Sequence, residues 1–145
     1  MDALEKGGRV ATLRGYERRW QVAMDNRVDL PGYKYYVDSK TGERPPVCVA
    51  FLDLAPASGR SVKGVVFEAD LDALDGRERN YARREVMDGV VAYIGTPDAR
   101  ERYRRGPTVV SAEYLESVRR GLARIGASTE SPPVPIRHLE RIDLP

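Results

Sequence analysis

Gly64-Val65-Val66-Phe67-Glu68-Ala69-Asp70-Leu71-Asp72-Ala73-Leu74-Asp75-Gly76-Arg77-Glu78-Arg79-Asn80-Tyr81 reads as a strand, a short helix and an aromatic that opens the next strand. Asp70 suits the N-cap, because its side-chain oxygen can accept from the orphan amides of a first turn. A helix from Leu71 to about Glu78 has an apolar stripe of Leu71 and Leu74, three apart, and Glu78, four further on, continues it. Burial beside such a stripe disfavours the charged carboxylate, which predicts a pKa raised from about 4.3 toward about 6 to 7, a range useful for moving protons near neutrality. Glu78 is therefore the candidate general acid/base. The competing reading turns it to water or pairs it with Arg77 or Arg79, as happens to most helical carboxylates.

Upstream, Arg9 to Leu13 reads as a strand that continues through Gly15 into Tyr16 to Met24. Alternation in this second stretch puts Tyr16, Arg18, Trp20, Val22 and Met24 on one face. Arg18 is the odd member of that face. A guanidinium among aromatics wants an anion, and the carboxylate of an amino-acid-like substrate would accept two parallel hydrogen bonds from it. Its alternative partners are an acidic side chain, or water reached past a packed stem. Tyr33 to Val37 and Val47 to Leu54 read as the two arms of a hairpin across the polar, Gly-containing Asp38 to Pro46. Ala55 to Arg60 reads as a loop and Val62 to Phe67 as a strand. Gly64 in that strand either accommodates a bulge or lets another group approach the backbone.

Downstream, Tyr81 to Met87 and Val90 to Ile94 form a hairpin across Asp88-Gly89, a strong two-residue turn signal. Thr96-Pro97-Asp98 starts a helix with a cap, a first-turn proline and an early acid, and the helix runs to about Arg105. Ser111 caps a longer helix whose stripe is Tyr114, Leu115, Val118, Leu122 and Ile125, with Gly126 as its stop. Ala127 to Pro145 is a Ser/Pro-rich tail expected to run extended over the surface, docked by Ile136, Leu139 and Ile142. Neither an internal repeat nor a domain boundary is evident, so 1–145 is read as one α+β domain.

The pattern Gly64-Val65-Val66-Phe67, then Leu74-Asp75, Glu78 and Tyr81, resembles the catalytic segment of the gamma-glutamylcyclotransferase-like family. Leu13-Arg14-Gly15-Tyr16-Glu17-Arg18-Arg19-Trp20 is similar to that family's Gly-Tyr-x-Arg-x-aromatic strand, and the likeness extends from about Val10 to Ile125. The resemblance implies a small mixed β-barrel with flanking helices and Glu78 as general acid/base. It also implies substrate contacts from Tyr81 and Arg18, with space for substrate beside Gly64. The implied reaction is attack by the free α-amine of a gamma-glutamyl group on its own side-chain carbonyl, releasing 5-oxoproline and an amine without a cofactor. The family's opening Tyr-Gly-Ser strand has no counterpart in the fourteen residues before Gly15. The expectation is either a shortened form of a longer protein or a member that has lost this loop, leaving an open groove and fewer preorganised donors for an oxyanion. The rival expectation is a non-catalytic binding module that keeps the fold.

Composition bounds these readings. With 145 residues, 41% hydrophobic and 32% charged, the chain has the make-up of a soluble globular domain. A net charge of +2 supplies no general drive toward nucleic acid or membrane, although twenty of the 24 basic residues are Arg. The Arg100 to Arg105 run reads as a solvated helix face. Tyr33, Tyr35 and Tyr36 beside Lys34 and Arg44 would be an RNA-stacking surface only with a basic groove, and they read instead as cover for an edge strand. No stretch reaches the roughly 18 apolar residues of a membrane span, and no secretory core precedes the first strand, so the expected compartment is cytoplasmic. The lone Cys48 reads as a small buried hydrophobe. One Cys and one His, His138, without a carboxylate cluster, argue against a metal site.

Overall fold

Two long strands dominate the molecule: β1 (Arg9–Asp25) and β3 (Cys48–Val66), which pair antiparallel along their length. The computed structural model describes residues 7–145; of the fourteen residues before Gly15, in which the opening Tyr-Gly-Ser strand has no counterpart, the first six lie outside the described residues. β3 absorbs the Ala55 to Arg60 segment that the sequence suggests as a loop. The register jumps from Tyr16↔Pro56 to Arg14↔Ser61, so Gly15 on one strand answers an extruded turn on the other. Gly15 has φ 84°, which a Cβ would disfavour.

A second shift corrects the single-face reading of β1. Trp20 pairs with Leu52 and Val22 with Phe51, leaving Gln21 as an extra residue. One extra residue reverses which face the following side chains take. Trp20 therefore packs with Ala50, Val110 and Leu115, whereas Val22 and Met24 pack with Val49, Phe51 and Leu139. The ribbon is thus buried on both faces from Trp20 to Met24.

The expected hairpin between Tyr33–Val37 and Val47–Leu54 does not form. β2 (Lys34–Asp38) pairs instead with β8 (Leu139–Asp143), with Lys34 opposite Asp143 and Tyr36 opposite Arg141. Asn26 holds the chain at this branch point: its side-chain amide donates to the carbonyls of Tyr36 and Pro45, and its oxygen accepts from the Tyr36 amide at 2.7 Å. The tail is therefore a built part of the sheet system. Leu139 is 2% exposed, as expected of a docking residue, but Ile136 is 51% exposed. Just before β8, β7 (Ile136–Arg137) runs parallel to β6 (Thr108–Ser111), which in turn lies parallel to the start of β3.

β4 (Tyr81–Met87) and β5 (Val90–Gly95) form the expected hairpin, with Gly89 at φ 72° in its turn. α1 (Leu71–Asp75) is capped by Asp70, α2 (Pro97–Arg105) by Thr96 and α3 (Ala112–Ala123) by Ser111, each cap oxygen accepting from an amide three residues on. α3 buries Leu115 and Leu122 as its stripe predicts. α2 is attached differently from its sequence reading, because Arg100 and Arg102 turn inward from the supposed solvated run. Arg102 donates to the Ala23 carbonyl at 2.8 Å and to Asn80 Oδ1 at 2.9 Å.

The architecture is mixed α+β, mostly strands with flanking helices. The sheets are β1-β3-β6-β7, β2-β8 and β4-β5, and they do not close into a barrel, which corrects the barrel expectation. β6 pairs with β3 only at Cys48 and Val49, so among the described residues β3 runs on past it without a neighbouring strand on that side. Among the described residues no helix is long and apolar enough to cross a membrane.

Candidate active site

A cavity of about 890 Å³ opens where β3 outruns β6. Phe51, Leu52, Asp53 and Leu54 of β3 line it, and so do Tyr33 and Lys34, the segment Gly76–Tyr81, Tyr114 of α3 and the β8 end with Arg141 and Asp143. Two tyrosines complete the open stretch of β3. The Leu52 amide donates to the Tyr114 hydroxyl at 3.2 Å, and the Tyr81 hydroxyl donates to the Leu52 carbonyl.

Glu78 lies on the cavity wall, half-buried. The helix that was expected to carry it stops at Asp75, and none of that helix's residues is buried, so the stripe of Leu71 and Leu74 does not turn the carboxyl inward. A turn does so instead: the amides of Arg77 and Glu78 both donate to the Leu74 carbonyl, at 2.9 and 3.1 Å, and the chain then crosses to β4. Neither alternative partner holds it. Arg79 donates to the Pro31 carbonyl at 3.2 Å. Burial raises the Glu78 pKa above the ordinary glutamate value, and the Lys34 ammonium pulls part of that shift back.

Tyr81 and Arg18 line the same cavity, whereas Gly64 does not. Gly64 pairs with Ala11 on the long ribbon, and a Cβ there would come within 3.8 Å of the Arg18 guanidinium. That is ordinary van der Waals contact, so the neighbour of Gly64 is a protein side chain and the space beside it is not the cavity. Arg18 donates to the Lys63 carbonyl, so part of its fork is already engaged by the backbone, and burial lowers its pKa. Tyr81 is held protonated, its pKa pushed up first by burial and then by neighbouring Tyr114 and Asp53. With its proton given to Leu52, the Tyr81 oxygen remains an acceptor.

Sequence reasoning missed Lys34 and Asp53. Lys34 Nζ sits 4.7 Å from the ring centroid of Phe51, 5.3 Å from that of Tyr33 and 5.8 Å from that of Tyr36. Burial and the Arg141 charge lower its pKa to about 8, against the opposing pull of Asp143 and Glu78. The clue was an amine inside a Tyr-Lys-Tyr-Tyr run, but its cavity position depends on the β2–β8 pairing, which no local pattern announces. Asp53 is buried with every oxygen used: Oδ1 accepts from the Gly95 amide at 2.7 Å, and Oδ2 accepts from Gln21 at 2.6 Å and from Arg100 at 3.1 Å. A carboxylate so occupied braces the site.

The three tyrosines have structural work. Tyr36 is buried, the Tyr33 hydroxyl accepts from Asn80 at 2.8 Å, and the Arg44 guanidinium lies 4.2 Å from the Tyr35 ring centroid. Cys48 is buried on β3, and burial pushes its thiol pKa up, away from a reactive thiolate. His138 pairs with Glu113 at 3.7 Å. No group of three metal-ligating side chains gathers among the described residues. No family model, curated protein or solved structure matches the chain.

Proposed function

We propose that the chain is a gamma-glutamylcyclotransferase-like enzyme that cyclises a gamma-glutamyl amide, with Glu78 as the proton relay. The observation that carries this reading is a single half-buried carboxyl, reluctant to ionise, on the wall of a cavity of about 890 Å³. In the proposed reaction the α-amine of the gamma-glutamyl group attacks its own side-chain carbonyl. Glu78, ionised in the Michaelis complex, takes the proton from the attacking nitrogen. It returns that proton to the leaving nitrogen as the amide C–N bond breaks, giving 5-oxoproline and a free amine. Nucleophile and electrophile share one molecule, so holding it in a bent conformation replaces much of the entropic cost. Tyr81 supplies an acceptor, and Arg18 and Lys34 supply cations for carboxylate groups.

The test is 5-oxoproline release over a panel of gamma-glutamyl amides, each paired with its N-acetylated form, whose amine cannot attack. Release from free-amine substrates alone is the expected result, and absence of release from every member of the panel would overturn the proposal. A second reading, a non-catalytic module that binds anionic small molecules, draws support from Lys34, Arg77, Arg79 and Arg141 around the cavity. It predicts that a gamma-glutamyl amide binds and is recovered unchanged.

A further inference from the structure

Lys34 offers the cavity a second chemistry. Only four of the chain's basic residues are amines, Lys6, Lys34, Lys40 and Lys63, and one of them stands at this wall. An arginine would supply charge there but could not become a nucleophile, because it keeps its proton at any physiological pH. The Lys34 amine lies among the rings of Phe51, Tyr33 and Tyr36. The charges that reach it come from Arg141 and Asp143 of β8 and from Glu78 across the cavity. Arg141 is paired with Asp143 at 2.7 Å, which leaves Glu78 as the titratable group facing the amine that no ion pair occupies.

We propose that Lys34 is a nucleophile toward the carbonyl of a small 2-oxo acid, forming a Schiff base with Glu78 as the proton donor and acceptor and Arg77 and Arg141 as cations for the carboxylate. The neutral amine attacks the carbonyl carbon, a C–N bond forms, and the carbonyl π pair moves to oxygen, which takes the proton of the Glu78 carboxyl. The resulting carboxylate removes one proton from the new ammonium. Glu78 then protonates the hydroxyl, which leaves as water while the nitrogen lone pair closes the C=N bond. The balance is amine, carbonyl and protonated Glu78 giving protonated imine, water and Glu78 carboxylate, with no oxidation or reduction. An amine with a pKa of about 8 is neutral in roughly one molecule in ten at pH 7, whereas at the ordinary 10.5 it is neutral in about one in three thousand. This inference uses the cavity but does not depend on the cyclisation reading, because it needs neither a gamma-glutamyl substrate nor an attacking substrate amine.

Glyoxylate is the probe, with cyanoborohydride to trap the imine as a carboxymethyl amine and peptide mapping to read each lysine separately. Lys6, Lys40 and Lys63 are internal controls in the same full chain. The expected result is carboxymethylation of Lys34 at least about tenfold faster than the other three at pH 7. Glu78→Gln should slow trapping at Lys34 and leave the control lysines unchanged. Propionaldehyde, which lacks the carboxylate, should label Lys34 more slowly than glyoxylate does. Labelling of Lys34 no faster than the controls overturns the nucleophile, equal labelling by the two probes overturns the 2-oxo acid, and an unchanged rate in Glu78→Gln overturns the proton donor.

Discussion

Glu78 is held at the cavity by a turn that follows a five-residue helix, so the carboxyl reaches its half-buried position by a route other than the one its spacing implies. The residue type was legible because an acid after Leu71 and Leu74 stands out; the helix length was not, because Gly76 ends the helix, its amide donating to the Asp72 carbonyl at 3.3 Å. The folded carboxyl has a raised pKa, so between the ordinary value of 4.5 and its folded value the native state binds the extra proton and stability falls as pH rises. Glu78→Gln removes that cost. The variant should match or exceed the wild type in urea midpoint at pH 7, and the difference should shrink as pH falls toward 4.5. The same substitution removes a charge that sustains the Lys34 proton, so the Lys34 amine should titrate below pH 8 by NMR. Asp53 behaves in the opposite way. Asp53→Ala strands the Gly95 amide, Gln21 and Arg100 around a buried hole and should cost about 3 kcal/mol in chemical denaturation.

Among the elements, the hairpin β4–β5, the caps of α2 and α3 and the stripe of α3 were legible, because each is written in consecutive residues: Asp88-Gly89, Thr96-Pro97 and Ser111. The pairing of β2 with β8 was not, because two strands a hundred residues apart carry no local mark of one another. Gln21 was equally silent, since a bulge does not disturb the alternation as read along one strand. Gly95 at the end of β5 carries a packing constraint: a Cβ there would lie 2.3 Å from Val22 and 2.9 Å from the Asp53 carboxylate. Gly95→Ala should therefore cost about 1 to 3 kcal/mol by calorimetry, whereas Gly121→Ala on α3, where a Cβ meets open space, should gain up to about 1 kcal/mol.

For the molecule as a whole, the α+β class was legible from element order, but an open set of three sheets replaces the expected barrel, and the cavity sits on the stretch of β3 that β6 leaves uncovered. The sequence could name Glu78, Tyr81 and Arg18, yet a third wall of the cavity comes from Lys34, Arg141 and Asp143, brought there by the C-terminal strand. Stability should carry a signature of that wall. From about pH 8 to 10.5 the unfolded chain holds the Lys34 proton and the folded chain has released it, so this group makes stability rise with pH. Lys34→Met should therefore be most favourable relative to the wild type near neutrality and lose that advantage as pH passes 8, read from paired urea titrations. The central claim is that the Glu78 carboxyl carries the proton in cyclisation, and the most direct measurement is 5-oxoproline release by wild type and Glu78→Gln, side by side, on one gamma-glutamyl amide that the wild type turns over. The account predicts release by the wild type and none above background from an equally folded Glu78→Gln; equal release by the two would contradict it.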